Sequence, residues 1–230
     1  MQYIKENIEA IEKRMQSAAL RAGRQPNDVQ LLAVTKTVDI ERINASLEYG
    51  VRHIGENKAQ EYQQKRNLLK SGVFWHFIGQ LQSNKVKYII KDVYMIHSLD
   101  RPSLAVEIDR QAKREGRVIP VLLEVNVAAE ERKGGLLLNE VKDFVDYAAS
   151  LPNLSVQGLM TVAPMAEDPE EVRPVFRALR TLGETIRNCR IPRVDMRYLS
   201  MGMSGDFEVA IEEGANWVRI GQAIYGRREA

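Results

Sequence analysis

A (β/α)8 TIM barrel with one extra N-terminal helix is the fold that this sequence predicts. Three observations point to it. Short apolar runs alternate with amphipathic or polar helical stretches eight times along the chain, the pattern of parallel strands joined by helical crossovers. The length of 230 residues falls slightly under the roughly 250 typical of that barrel. No low-complexity tract, internal repeat or linker interrupts the rhythm, so residues 1–230 read as a single domain. A doubly wound open sheet shares the same alternation, and spacing alone does not separate the two.

Tyr3 to Arg21 reads as an amphipathic helix, because Ile4, Ile8, Ile11, Met15 and Ala19 recur three or four residues apart. Gly23 ends it. The first strand runs from Leu31 to Thr37, followed by a helix from Ile40 to Glu48 that stops at Gly50. The second strand, His53 to Asn57, leads into a polar helix from Lys58 to Leu69. The third is the aromatic run Phe74 to Gly79, with a helix near Asn84 to Ile90. Tyr94 to Leu99 is the fourth. Pro102, well placed in a first helical turn, then opens the helix Ser103 to Lys113. Pro120 to Val127 is the fifth strand, with a helix from Asn139 to Ala149. Ser155 to Val162 is the sixth, followed by a long helix from Glu170 to Arg187. Tyr198 to Met201 is the seventh, with Phe207 to Glu212 helical, and Trp217 to Gly221 is the eighth, leaving a short tail.

Composition narrows the function. Hydrophobic content of 44% and charged content of 28% suit a globular chain that buries a core without staples. A net charge of +2 argues against a nucleic-acid partner. One cysteine, Cys189, leaves no partner for an intramolecular disulfide and fits a reducing compartment. No apolar run approaches the roughly 18 residues of a membrane span, and no apolar segment follows Met1–Glu6 as in a signal peptide. The expectation is a cytoplasmic protein with no membrane partner.

Lys36 stands near the end of the apolar run Leu31-Leu32-Ala33-Val34-Thr35. In a barrel of this kind, active groups come from the C-terminal ends of strands, and phosphate often binds at the loops after strands seven and eight. Ser200-Met201-Gly202-Met203-Ser204-Gly205-Asp206 and Val218-Arg219-Ile220-Gly221-Gln222 occupy those two places. Gly202, Ser204, Gly205, Gly221 and Gln222 let backbone N–H groups approach an anion, and Ser200 and Ser204 add hydroxyls. Lys36 is then expected to face these turns across the barrel. An amine opposite a phosphate cradle suggests a phosphorylated aldehyde held as a Schiff base, with pyridoxal 5'-phosphate (PLP) the obvious candidate. The alternative is that the glycines only make tight turns and that Lys36 is solvated. An ordinary lysine, with a pKa of about 10.4, is almost wholly protonated at neutral pH. A dry mouth and a neighbouring cation would raise the reactive fraction.

Arg219 lies inside the eighth strand, where a guanidinium needs partners. It is either a structural ion pair, for example with Glu124, or a donor to the cofactor's pyridine nitrogen. In the second role its charge would keep that nitrogen unprotonated and weaken the ring as an electron sink. Asn57 and Asn126, at strand ends, either contact the cofactor or make turns. His76 is a candidate acid/base or a hydrogen-bonded core histidine.

These stretches resemble the PLP homeostasis proteins, also called the YggS/PROSC family. The resemblance rests on Leu31–Thr37, Gly55-Glu56-Asn57 with Gln60-Glu61, Trp75–Lys85, Val125–Val127 with Glu130-Glu131 and Lys133, Gly158–Met160, Leu199–Ser204 and Val218–Gly221. It implies a barrel like the N-terminal domain of alanine racemase, with PLP on Lys36 and Arg219 at the pyridine nitrogen. Ser200, Gly202, Ser204, Gly221 and Gln222 would hold the phosphate. Lys58, Ala128-Ala129, Arg132 and Gln222 depart from the family's usual residues and touch only loop details and one side-chain phosphate contact. The implied role is to hold PLP, limit free aldehyde and deliver the cofactor to apo-enzymes. The similar racemases add an all-β domain carrying a tyrosine acid/base, and this chain ends after its eighth unit. Storage by a monomer is therefore the expectation. A PLP-dependent racemase using Lys36 and His76, or a cofactor-free Schiff-base aldolase acting on a phosphorylated sugar, are the rival readings.

Overall fold

Eight parallel strands close into a barrel in sequence order in the computed structural model, which describes residues 1–69 and 72–226. The strands are β1 (Gln30–Val34), β2 (His53–Glu56), β3 (Phe74–Phe77), β4 (Val93–Leu99), β5 (Ile119–Glu124), β6 (Leu154–Met160), β7 (Val194–Ser200) and β8 (Trp217–Ile220). The helices are α1 (Gln2–Arg21), α2 (Ile40–Glu48), α3 (Ala59–Arg66), α4 (Pro102–Arg114), α5 (Val141–Ser150), α6 (Arg173–Asn188), α7 (Phe207–Glu212) and α8 (Gln222–Tyr225). β1 completes the circle by pairing with β8 from Gln30↔Trp217 to Ala33↔Ile220. β7 and β8 pair at Ser200↔Trp217. Among the described residues no helix is long and apolar enough to cross a membrane.

Because side chains alternate along a strand, each strand feeds two cores. The outer one, between strands and helices, takes Ala33, Ile54, Trp75, Phe77, Val218 and Ile220 among many others. The lumen holds a small apolar cluster of Met95, Leu122 and Met160, and beside it the rings of His53, His76, His97 and Trp217. Layers of branched aliphatics usually fill such a lumen; here three imidazoles share it. α1 buries Ile4, Ile8, Ile11 and Met15 against α7, α8 and α2. Asn7 Nδ2 donates to the Ile224 carbonyl at 3.0 Å, so the first and last helices meet over the β8–β1 seam.

Several boundaries differ from expectation, some for a local reason. β1 stops at Val34, which leaves Lys36 in the turn beyond it, and β5 stops at Glu124, before Asn126. The segment after β3 is a 3-10 helix, Ser83–Tyr88, the tighter form that short connectors often take. The long sixth helix splits into a 3-10 turn, Pro169–Val172, and α6. Pro174 has no N–H and fits an α-helix only in its first turn. β7 begins four residues early, since the exposed Asp195 and Arg197 pair with each other and look like loop in sequence. β6, α3 and α5 shift by one to three residues at their ends. The short tail after β8 opens with the helical turn α8, and its final positions, 227–230, lie outside the described residues.

Candidate functional site

A cavity of about 1050 Å³ opens at the C-terminal ends of the strands, with Lys36, Ser204, Gly205, Arg219, Gly221 and Gln222 in its lining. Closure of the barrel decides its geometry. β8 neighbours β1, so Lys36 stands beside the eighth-strand turn rather than across the barrel from it. A β-carbon on Gly221 would approach the Val34 carbonyl oxygen to 3.2 Å, which shows how closely the two chains run. The turn after β7 joins them, because Ala223 N donates to Ser204 Oγ at 3.4 Å. Asp206 Oδ1 accepts from Met203 N at 2.6 Å and fixes that turn. The two turns singled out in the sequence thus form one continuous wall with Lys36.

A clamp that sequence reading missed holds the Lys36 turn. Buried Lys65, on α3, donates to the Thr35 carbonyl at 2.7 Å, to Glu56 Oε1 at 2.8 Å and to Glu61 Oε2 at 3.1 Å. Thr35 Oγ1 donates to Glu56 Oε1 at 2.6 Å, and Thr37 N donates to Glu61 Oε2 at 2.7 Å. The residues on both sides of Lys36 are therefore tied to one buried ammonium and its two carboxylates. Thr37 sits at φ 63°, a left-handed conformation that a β-branched residue rarely adopts. Burial pushes the Glu56 carboxyl up, against the pull of Lys65 and Thr35. The i, i+4 spacing of Glu61 and Lys65 was the available signal.

Arg219 is reached from the cavity and anchored below it. Its Nη1 donates to the Ser200 carbonyl at 2.7 Å and to Ser200 Oγ at 2.8 Å, and its Nη2 donates to the Thr161 carbonyl at 2.7 Å. In place of an ion pair such as that with Glu124, one of the two readings, the guanidinium bonds to neutral oxygens, and burial pulls it down to about 10. Ser200 is fully buried behind the cavity wall and also meets His97 Nδ1 at 2.9 Å. Gly202 lies behind the wall too, its carbonyl accepting from Arg219 N at 2.9 Å. His76 is buried in the lumen between His53 and His97, away from the cavity lining. Burial holds His76 and His97 well below the ordinary imidazole range. Asn57 is half-buried, with Oδ1 unpartnered. Asn126 ties its own loop together, donating to the Glu130 carbonyl and accepting from Glu130 N.

Glu124 lines a second, smaller cavity of about 230 Å³ with Gln80, Asn126 and Lys133, and its Oε2 has no partner. Burial pushes its carboxyl up to about 7, helped by nearby Asp100. The folded protein therefore keeps this proton between about 4.5 and 7, where the unfolded chain has lost it, and stability falls as pH rises through that window. Glu124→Gln should consequently match wild type near pH 4.5 and exceed it by at most about 3 kcal/mol at pH 8.5. Urea midpoints at the two pH values check this; an equal offset at both would contradict it.

Comparison with known proteins places the chain in a family. Residues 4–229 match the family described as alanine racemase, N-terminal domain. A curated relative from Aquifex aeolicus, named pyridoxal phosphate homeostasis protein, is 48% identical over 225 residues, spanning 97% of this chain and 98% of the relative. The chain belongs to the pyridoxal phosphate homeostasis family. A crystal structure of an unknown protein from Bifidobacterium adolescentis superposes with a TM-score of 0.92 at 37% identity, over 97% of this chain and 95% of that one. PipY of Synechococcus elongatus, described with PLP bound, superposes with a TM-score of 0.81 at 32% identity, over 94% of this chain and all of PipY. Family membership thus agrees with the resemblance read from Trp75–Lys85 and the strand-end motifs, and the barrel with the fold expected from them.

Proposed function

We infer that this chain binds PLP in the cavity at the C-terminal face and serves PLP homeostasis, holding the cofactor and delivering it to apo-enzymes. The observation that carries this reading is the single wall formed by Lys36, the Ser204 turn and the Gly221–Gln222 turn, with Arg219 at its base. PipY, the relative described with PLP bound, supports it.

When bound, PLP supplies an aldehyde that condenses reversibly with a lysine amine as a Schiff base, releasing water. Lys36 is that amine, held by the Lys65 clamp. Ser204, Gly221 and Gln222 receive the phosphate with hydroxyl and backbone donors; Gly202 shapes the turn behind them. Arg219, oriented by Ser200, donates to the ring nitrogen, and Asn57 flanks the ring. A guanidinium at that nitrogen disfavours its protonation and weakens carbanion chemistry, which favours storage over catalysis. The candidate acid/base His76 points the same way, since it is locked in the lumen. On this reading residues 1–230 act as one PLP-binding domain, a monomer in the cytoplasm, whose exposed Cys189 suits a reducing compartment.

The visible spectrum of purified protein, before and after borohydride, tests the assignment. A yellow band that borohydride bleaches while leaving the cofactor irreversibly attached, and that is missing in Lys36→Ala, is the expected result. A wild-type protein that shows no such band with PLP added overturns it. Sustained turnover of an amino acid, lost in Lys36→Ala, would overturn the storage role.

A further inference from the structure

All three histidines of the chain sit in one hydrogen-bonded line through the lumen. His53 Nδ1 meets His76 Nε2 at 2.9 Å, His76 Nδ1 meets His97 Nε2 at 2.8 Å, and His97 Nδ1 meets Ser200 Oγ at 2.9 Å. Arg219 Nη1, 2.8 Å from Ser200 Oγ, ends the line. Strand order produces it: β2, β3 and β4 are neighbours, with His53 opposite Phe74 and His76 opposite Gly55 and Met95. Trp217, Tyr94 and Phe74 pack against the rings.

Donor and acceptor rules give the line a direction. A guanidinium only donates, so Ser200 Oγ accepts from Arg219. Among the described residues, the one acceptor within reach of the Ser200 hydroxyl hydrogen is then His97 Nδ1. A neutral imidazole has one N–H. With Nδ1 accepting, His97 donates from Nε2 to His76 Nδ1; His76 donates from Nε2 to His53 Nδ1; and His53 keeps its hydrogen on Nε2, at the N-terminal end of the barrel. The opposite direction would leave the buried Ser200 hydroxyl hydrogen without a partner.

We propose that Ser200 and the three histidines form a directed, neutral ladder that takes the place of a carboxylate counter-ion for Arg219 and positions its guanidinium for the cofactor ring. Every donor in the ladder points away from Arg219, so its acceptor end faces the cation, and aligned hydrogen bonds reinforce one another. Glu124 and Asp206 add only longer-range attraction. Three of the five N–H groups of the guanidinium are spent on Ser200 and Thr161, and a direct carboxylate partner would compete for the rest. Ser200 and His97 are thus positioning residues. The part of this inference that concerns the ring rests on the PLP reading above.

Long-range 1H–15N NMR of histidine-labelled protein, without ligand, tests the ladder. At pH 7 all three imidazoles should be neutral with hydrogen on Nε2. Ser200→Ala should remove the single direction, shifting the nitrogens of His97 and, through His76, those of His53; its PLP affinity should fall about tenfold while borohydride still labels Lys36. Ser200→Thr, which keeps the hydroxyl, should restore both readouts. Hydrogen on any Nδ1 in wild type overturns the ladder, as do imidazole shifts unchanged in Ser200→Ala. The stated tautomers in a protein that takes up no PLP would keep the ladder and sink the cofactor reading.

Discussion

Replacing Lys65 by methionine should destabilise the protein by about 3–5 kcal/mol, because it removes one partner of a buried ion pair and strands the other. The side chain is 10% exposed and that of Glu56 is fully buried. Methionine fills much of the lysine's volume, so the loss is electrostatic and not a cavity effect. Three acceptors lose the ammonium together: the Thr35 carbonyl, Glu56 Oε1, which keeps only the Thr35 hydroxyl, and Glu61 Oε2, which keeps only Thr37 N. Glu56 already has one oxygen, Oε2, without a partner, so its buried charge would rest on the Thr35 hydroxyl alone. The turn carrying Lys36 should loosen at the same time, and PLP should bind more weakly. Urea unfolding and a PLP titration measure the two effects. Adding Glu56→Gln to Lys65→Met should recover part of the stability by neutralising the stranded charge. A Lys65→Met protein within 1 kcal/mol of wild type would show that the clamp is dispensable.

Gly158→Ala should be at least as damaging. Gly158 lies in β6 where the register slips against both neighbours. A β-carbon there would stand 1.9 Å from the Tyr198 carbonyl oxygen and 2.7 Å from its carbon, and φ is +154°. Backbone cannot swing aside as a flexible side chain can. In a closed barrel β7 cannot retreat without parting from β6 or straining the whole ring. A loss above about 4 kcal/mol is expected, in the range reserved for severe overpacking. Little soluble protein, or a melting point lowered by more than 10 °C, is the expected outcome; a normal melting curve would show that β6 and β7 can part cheaply.

The fold was legible in the sequence because most strands contain a dry run bounded by turn residues, as in Leu31–Thr35 and Trp75–Ile78. The boundaries that moved did so where local chemistry overrode the pattern: Pro174 delaying α6, and Asp195 with Arg197 disguising the start of β7. Lys36 and the two strand-end turns were legible for the same reason as the strands, since a charge or a glycine after an apolar run is conspicuous. Their adjacency was not, because it depends on which strands become neighbours when the sheet closes. The same holds for His53, His76 and His97. They are 23 and 21 residues apart, and only the register of β2, β3 and β4 brings the rings together. Lys65 was hidden by its surroundings: α3 is mostly polar, only Ala59 and Tyr62 mark its buried face, and the i, i+4 spacing with Glu61 looks like an ordinary surface pair.

The pairing of β1 with β8 also sets a clock on synthesis. β1 begins at Gln30 and β8 at Trp217, 187 positions later. A ribosome adding about 5–20 residues per second leaves the outer side of β1 without its partner for about 10–40 s. An unpaired strand edge is a template for the wrong neighbour, and Leu31 to Val34 is apolar throughout. The segment that later presents Lys36 is therefore the part of the nascent chain most exposed to misassembly, and the part a chaperone has most reason to cover.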